Sequence, residues 1–250
     1  MDRRKFLSFG MLGACSLSFG NAFKKEPLKD IYLEGKMYDA LYALRSRLKK
    51  VQRYVGYGTF NYISMDKVLF YARNVASIGA FTKEELFLIE MFFYEDPKKY
   101  GFYGKKTIDS LTTVIKEKDI VKIAGTGHYL FKGKPLEDYD RLLKDVGHDI
   151  TLTSGIRSVP KQMYLYVNKI LQLQGNISAA AKIIAPPRYT YHAISDFDVG
   201  KKGFGVANFS EKFTTTQEYK ELIKLDYVSI RYVKNNKDGV RYEPWHIEVI

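Results

Sequence analysis

Two short segments of the chain carry residues that together could perform metal-assisted hydrolysis. The C-terminal segment places Glu243 three positions before His246, and a segment about fifty residues upstream holds His192 and Asp198. A catalytic zinc site needs three protein ligands, an open position for water, and a base beside it. Two imidazoles, one ligating carboxylate and one spare carboxylate meet that need, and the chain has only four histidines. We therefore predict a zinc site built from these two segments, with Glu243 as the candidate base.

The spacing of the upstream pair sets a condition on the backbone. Six residues of straight strand would separate His192 from Asp198 by about 20 Å, so the chain must turn between them. The turn is expected at residues 195–196, and residues 197–199 form the next strand. Asp198 would then point away from the apolar residues on either side of it. A carboxylate on the inward face of a strand is unfavourable unless it is paired or binds a metal.

The C-terminal pair requires an irregular strand. Three positions of regular strand would put Glu243 and His246 on opposite faces. Pro244 cannot donate to a strand ladder and favours an irregular start of the strand. We expect a bend there that brings both side chains to one side. Trp245 would then form a wall that keeps the site partly dry and strengthens its electrostatics.

The composition favours a globular protein with a basic surface. The chain has 250 residues, a hydrophobic fraction of 46% and a formal net charge of +12. Such a surface suits nucleic acid, anionic lipid or an acidic polymer such as a cell wall. The charges are dispersed, without an arginine-rich block or a nucleic-acid fingerprint, so no nucleic-acid partner is predicted. His128, in a glycine turn, and His148, before a strand, are predicted to be loop or surface residues, although His128 could line the cleft.

The N-terminus indicates export. Arg3 and Arg4 precede an apolar, small-residue run that ends at Phe19 and is too short to span a bilayer comfortably. Residues 1–22 are therefore predicted to be a twin-arginine signal peptide, cleaved after residue 22. A rival interpretation is a lipoprotein box ending at Cys15, which would attach the protein to the membrane if lipidated. Either way the protein is expected in the periplasm or cell envelope of a bacterium, with no cysteine available as a zinc ligand.

The remaining pattern predicts an α+β fold. Three- and four-residue apolar spacing indicates a mainly helical accessory region over residues 30–122, in which no chemistry is evident. Residues 123–250 alternate helices with β-prone runs, and the turn signal at 235–239 predicts a closing hairpin between strands at 227–233 and 241–249. The expected architecture is a helical N-terminal region followed by a small antiparallel sheet flanked by helices.

Four pieces of the sequence occur in order: Ser154-Gly155-Ile156-Arg157-Ser158 with Gln162, then Thr190-Tyr191-His192, Asp198 and Glu243-Pro244-Trp245-His246. Through these pieces the chain, from about residue 135 to its end, resembles the VanY-like branch of the zinc D-alanyl-D-alanine carboxypeptidases of peptidoglycan. The resemblance departs from the family pattern between His192 and Asp198, which lie six positions apart instead of seven. Asp196 is therefore a rival ligand, and we favour Asp198 because of its apolar neighbours.

This resemblance implies a role for each matching residue. His192, Asp198 and His246 would bind Zn²⁺, and Glu243 would take a proton from the attacking water. Arg157 would bind the peptide carbonyl or the terminal carboxylate, for which a planar guanidinium is well suited. Residues 123–250 would be the catalytic domain. The substrate-binding candidates are Ser154, Gln162 and Trp245.

The implied function is hydrolysis of D-Ala-D-Ala or related bonds in peptidoglycan stem peptides. Two alternatives stay within the enzymes, an L,D-carboxypeptidase and an endopeptidase that cuts crosslinks. A third is a non-catalytic protein that binds the cell wall, which the shortened His192–Asp198 spacing keeps open. Gln162 either supports the substrate or only packs at a helix start. The sequence does not predict an oligomeric state.

Overall fold

The computed structural model describes residues 29–250. The predicted signal peptide, its cleavage point and Cys15 lie outside these residues. Within the described part of the chain, no helix combines the length and the apolar character needed to cross a membrane.

Three helices form the N-terminal part of the fold: α1 (Gly35–Val55), α2 (Met65–Asn74) and α3 (Lys83–Tyr94). Leu41, Leu44 and Leu48 form one buried stripe along α1, as three- and four-residue spacing requires. Helix α3 begins with a capping box, in which Thr82 accepts from the backbone N–H of Glu85 and the Glu85 side chain accepts from that of Thr82. The shared apolar core and the ion pair between Arg47 and Glu85 place α3 against α1.

The C-terminal part combines short strands with four helices. The fold is therefore α+β, with a small antiparallel sheet flanked by helices, as the sequence predicted. The helices are α4 (Lys134–Asp145), α5 (Val159–Gln172), α6 (Ile177–Ala181) and α7 (Gln217–Leu222). The strands are β1 (Ile120–Lys122), β2 (Tyr129–Phe131), β3 (Ile150–Ser154), β4 (Phe197–Lys201), β5 (Ser229–Ile230) and β6 (His246–Glu248).

The main sheet brings the sequence-distant site residues side by side. Its strand order is β3-β4-β6-β5, and every neighbouring pair is antiparallel. Asp198 on β4 pairs with His246 on β6, and with Ser154 on β3 after a register shift between Leu152 and Ser154. Directly opposed residues project from the same face of a sheet. Ser154, Asp198 and His246 thus form a row across three strands.

Two hydrophobic clusters enclose this row. One packs α1, α2 and α3 against α5 and α6, so the predicted accessory and catalytic regions share it; Leu44, Phe93 and Tyr166 are examples. The other packs the main sheet against α4 and α7, with Phe197 and Ile247 fully or almost fully buried. The candidate site lies between α5 and the sheet, where the two clusters approach each other.

The closing hairpin is shorter than predicted. Strand β5 has two residues and β6 has three, and residues 231–245 form an irregular loop between them. The side-chain amide of Asn236 donates to the carbonyls of Val233 and Val240, which holds the loop as a self-contained turn. The N–H of Tyr103 donates to the carbonyl of Asp238 at 2.8 Å, which ties the turn to the N-terminal part. Local and tertiary hydrogen bonds thus replace the ladder that a longer hairpin would have.

Candidate active site

Three donor atoms converge between α5 and the sheet. They belong to His192 in a 3-10 turn (Tyr191–Ala193), Asp198 on β4 and His246 at the start of β6, and one donor from each lies within 4.8 Å of the others. Nε2 of His192 is 3.3 Å from Oδ1 of Asp198, and Nδ1 of His246 is 3.5 Å from the same oxygen. The backbone turns between residues 192 and 198, as the spacing required.

These atoms suit a zinc ion. Ligands about 2 Å from zinc in a tetrahedron stand about 3.3 Å apart, close to the separations observed. Nε2 of His192 and Oδ1 of Asp198 are both buried without a hydrogen-bond partner among the described residues. Burying such atoms without a partner is unfavourable, and a shared cation would satisfy both. The donor set of two imidazoles and one carboxylate is also one that zinc accepts.

The imidazole of His192 is oriented by the backbone of the loop after β3. Its Nδ1–H donates to the carbonyl of Gly155 at 2.9 Å, which leaves Nε2 as the free lone pair. The N–H of Arg157 donates to the carbonyl of His192 at 3.2 Å and fixes the turn. Burial and the nearby Arg157 charge lower the pKa of His192 to about 4. The ring is therefore neutral at pH 7, as a metal ligand must be.

His246 is oriented by Asp196, the alternative metal ligand considered from the sequence. Nε2 of His246 lies 3.1 Å from Oδ2 of Asp196, so Nδ1 faces the other donors. Arg231 donates to both oxygens of Asp196, at 2.8 and 3.1 Å, and the N–H of Val249 donates to Oδ1 at 3.2 Å. Asp196 therefore takes the position of an outer partner that sets the histidine tautomer. It is not among the three residues whose donors converge.

The charges of this pair stabilise each other. Burial raises the pKa of Asp196, but hydrogen bonds from His246 and Arg231 outweigh burial and lower it to about 2. Burial lowers the pKa of His246, but hydrogen bonds to Asp196 and Glu243 outweigh it and raise it to about 9. Without metal the ring is thus held as an imidazolium. Metal binding has to displace a proton from Nδ1.

Glu243 lies beside the convergent donors. The chain bends at Pro244, and the N–H of His246 donates to the carbonyl of Glu243 at 3.1 Å. This turn brings both side chains to one side, as predicted, with Oε2 of Glu243 3.5 Å from Nδ1 of His246. The carboxylate is buried and borders the cleft. It is placed to exchange a proton with a water held near the three donors.

Arg157 contacts the third donor residue. Its Nη2 donates to Oδ2 of Asp198 at 2.5 Å, and its Nε donates to Oγ of Ser154 at 2.9 Å. Burial raises the pKa of Asp198, but His192 and Arg157 outweigh burial and hold it well below its usual range. The carboxylate is thus ionised, with Oδ2 on the guanidinium and Oδ1 turned to the histidines.

A cleft of about 310 Å³ opens over these groups. All three sequence-predicted substrate residues, Ser154, Gln162 and Trp245, line it. Nε2 of Gln162 donates to the carbonyl of Ala185 at 2.7 Å, while its Oε1 is buried without a partner among the described residues. That oxygen can accept from a substrate N–H. His128 also lines the cleft.

Sequence reasoning missed several residues that shape the site. Gly155 stands in the Ser154–Ser158 segment, but nothing local indicates why a glycine is needed: a Cβ there would lie 2.0 Å from the carbonyl oxygen of Tyr129. Arg231 had no local signal, because its partner Asp196 is 35 positions away. Lys161 and Lys169 line the cleft and belong to the helical pattern of α5, which gave no reason to single them out.

The comparison with protein families finds a match in the C-terminal part of the chain. Residues 134–250 match the family model VanY, described as D-alanyl-D-alanine carboxypeptidase. This part of the chain is therefore similar to the VanY family. All of the convergent donors, together with Glu243 and Arg157, lie within the VanY segment.

Several solved structures are similar to the chain. The LD-carboxypeptidase LdcB, whose structure concerns peptidoglycan recognition, is 21% identical, with 54% of this chain and 70% of that chain covered and a TM-score of 0.46. A mutant of the vancomycin-resistance D,D-pentapeptidase VanY in complex with Zn(II) is 21% identical, with 52% and 77% covered and a TM-score of 0.41. The vancomycin-resistance D,D-dipeptidase VanXYg, in complex with a D-Ala-D-Ala phosphinate analogue, is 19% identical, with 48% and 50% covered and a TM-score of 0.40. None of the curated proteins matches the chain.

Proposed function

We propose that the chain is an exported zinc metallopeptidase that hydrolyses D-Ala-D-Ala or related peptide bonds in peptidoglycan stem peptides. The observation that carries this proposal is the convergence of donors from His192, Asp198 and His246, with Glu243 beside them, inside a segment that matches the VanY family model. The first three residues are the proposed ligands. Zinc held there would polarise the peptide carbonyl and lower the pKa of a coordinated water.

The chain's own groups perform the proton transfers. Glu243 accepts a proton from the attacking water and passes it to the leaving amine. Its carboxylate lies beside His246 in a buried position, where its interactions are stronger than in bulk water. Trp245 forms a wall of the cleft and limits the water that reaches the carboxylate. A single base that works in both directions suits a peptide bond, whose nitrogen must be protonated before it leaves.

Arg157 positions the substrate and the ligand carboxylate together. One guanidinium nitrogen holds Oδ2 of Asp198, and the side chain borders the cleft. A permanently charged group at this place can stabilise negative charge on the carbonyl oxygen or hold a terminal carboxylate. The unpartnered Oε1 of Gln162 adds an acceptor for a backbone N–H of the substrate. The cleft thus offers complementary groups for the end of a peptide.

Location and cofactor follow from the proposal. Stem peptides lie outside the cytoplasmic membrane, which agrees with the export predicted from Arg3 and Arg4. Zn²⁺ is the proposed cofactor because the donor set and its spacing suit it. The basic surface would favour contact with an anionic wall polymer.

The deciding experiment is digestion of defined muropeptides by the purified full-length protein, with its zinc content measured in parallel. Loss of one D-Ala from a pentapeptide identifies a D,D-carboxypeptidase. Conversion of a tetrapeptide to a tripeptide identifies an L,D-carboxypeptidase, and separation of a crosslinked dimer identifies an endopeptidase. Absence of stoichiometric zinc together with absence of any cleavage would refute the enzyme and favour a wall-binding protein.

A further inference from the structure

One face of α5 forms a side of the cleft and carries two lysines. Lys161, Leu165 and Lys169 follow each other at four-residue spacing, and all three line the cleft. At 1.5 Å of rise per residue, the two lysines are about 12 Å apart along the helix. That distance matches about four residues of extended peptide. The cleft is therefore basic well beyond the convergent donors.

These lysines have positive neighbours. Among the described residues, neither lysine forms an ion pair with a carboxylate. Burial and the Arg157 charge lower the pKa of Lys161 to about 8, and burial and the Arg241 charge lower that of Lys169. Holding like charges close together in a partly buried cleft is unfavourable. An anionic ligand would offset this repulsion, because it is attracted to both positive groups of a pair. The pairs are Lys161 with Arg157 and Lys169 with Arg241.

Arg241 is fixed over the cleft on the far side of the proposed base. Its Nε lies 3.6 Å from Oε1 of Glu243, while Oε2 of Glu243 faces His246. Its Nη2 donates to the carbonyl of Phe209 at 3.4 Å, and its guanidinium carbon lies 5.2 Å from the centre of the Trp245 ring. The guanidinium is therefore held beside Glu243, and it is near enough to Lys169 in the same cleft for its charge to lower the pKa of that lysine.

We propose that Lys169 and Arg241 form a second anion subsite, which binds a free carboxylate of the peptide other than its terminal one. The proposal rests on the proposed function, because it takes the scissile bond to lie at the convergent donors. Two groups of a stem peptide offer this chemistry: the α-carboxylate of a γ-linked glutamate, and the extra carboxylate of a diamino-dicarboxylic acid at the third position. A lysine at that position would bring an ammonium group towards the two cations. The cleft would thus select acidic stem peptides over amidated or lysine-containing ones.

The test compares matched peptides on the full-length zinc-loaded protein. One pentapeptide carries free carboxylates at the second and third residues, and two others have one of these carboxylates converted to an amide. We expect the subsite carboxylate to raise kcat/KM about tenfold, mainly through KM, with the advantage shrinking as salt is added. Whichever amide removes the advantage identifies the carboxylate that is bound.

Variants at Lys169 assign the effect to the subsite. Lys169→Gln should lower kcat/KM for the peptide with the bound carboxylate about tenfold and so abolish the preference, while Lys169→Arg should retain the preference. Lys220→Gln, an exposed lysine on α7, is the matched control and should behave like the unaltered protein. Equal rates for all three peptides, or equal slowing of all three by Lys169→Gln, would overturn the proposal.

Calorimetric binding of the same peptides separates this proposal from the proposed function. If no peptide is cleaved but Lys169→Gln still weakens binding of the dicarboxylate peptide about tenfold, the subsite stands and the peptidase assignment fails. If cleavage occurs without any carboxylate preference in rate or binding, the peptidase stands and the subsite fails. If the protein neither binds nor cleaves any of the peptides, both are overturned.

Discussion

Nε2 of His246 lies 3.1 Å from Oδ2 of Asp196, and Nδ1 of the same ring lies 3.5 Å from Oδ1 of Asp198. The two carboxylates thus face opposite edges of one imidazole. Asp196 is held by Arg231 and by the N–H of Val249, so it cannot turn towards the convergent donors without breaking several hydrogen bonds. One carboxylate of the pair is placed to bind a metal, and the other to fix the ring that binds it.

Replacing the outer carboxylate should weaken zinc binding without removing a ligand. We expect Asp196→Asn to lower zinc affinity about 10- to 100-fold, because the tautomer and orientation of His246 are no longer fixed. A competition titration with a coloured chelator measures this. Asp226→Asn, at an exposed position, serves as the control and should leave affinity unchanged. Unaltered zinc affinity in a folded Asp196→Asn protein would contradict the orienting role.

Replacing the proposed base should separate metal binding from chemistry. Glu243→Gln keeps the size of the side chain but cannot accept a proton, so we expect kcat to fall by about 10²- to 10⁴-fold. Zinc content should stay stoichiometric, because Glu243 is not among the convergent donors. Glu90→Gln, on the exposed side of α3, is the control. Substantial residual hydrolysis by Glu243→Gln would rule out this role.

The local geometry of the site could be predicted because it depends on neighbours in sequence. Asp198 lies between two apolar residues that must be buried, and this fixed the strand on which it sits. Pro244 cannot donate a backbone hydrogen bond, and the three positions from Glu243 to His246 would put the two side chains on opposite faces of a regular strand. Together these features predict the bend that brings both side chains to one side. In both cases the physical cause lies within a few positions of the residue concerned.

The remaining geometry depends on tertiary pairing that leaves no local trace. The sequence predicts for Arg231 only a place in a strand, because nothing near it indicates that it meets Asp196. The long hairpin was predicted from a strong turn signal, but the Asn236 side chain satisfies the loop carbonyls that a ladder would have used. The sharing of one core by α1 and α5 likewise depends on which apolar faces meet, and periodicity alone does not reveal that.

A methyl group at residue 155 should damage both the fold and the site. The added Cβ of Gly155→Ala would lie 2.0 Å from the carbonyl oxygen of Tyr129, so the backbone must shift. That shift moves the carbonyl that accepts from Nδ1 of His192. We expect a loss of about 1–3 kcal/mol in the free energy of unfolding, as for other overpacked sites, together with weaker zinc binding.

Denaturant unfolding and the zinc titration check this prediction. Gly58→Ala is a matched control, since its Cβ would meet the Tyr129 side chain at an ordinary 3.5 Å. The control should change stability by less than about 1 kcal/mol. Equal stability and equal zinc affinity in both variants would show that the close approach at Gly155 is easily relieved.

Removal of the metal should lower thermal stability by an amount that reflects binding. A ligand present at a thousand times its Kd stabilises the folded state by about 4 kcal/mol, which in a protein of this size corresponds to about 10 °C in Tm. The stabilisation is expected because bound zinc satisfies the buried atoms of His192 and Asp198 that lack partners among the described residues. A strong chelator should therefore lower Tm by about that amount, and added zinc should restore it. Magnesium should not, since it prefers oxygen ligands.

Two histidine variants test whether the effect of zinc on Tm arises at this site. His192→Ala should be insensitive to both chelator and zinc, because one of the three convergent donors is gone. His148→Ala changes an exposed histidine outside the cleft and should respond like the unaltered protein. The same Tm with chelator and with excess zinc in the unaltered protein would contradict a metal at this site. A zinc response that persists in His192→Ala would place the metal elsewhere in the chain.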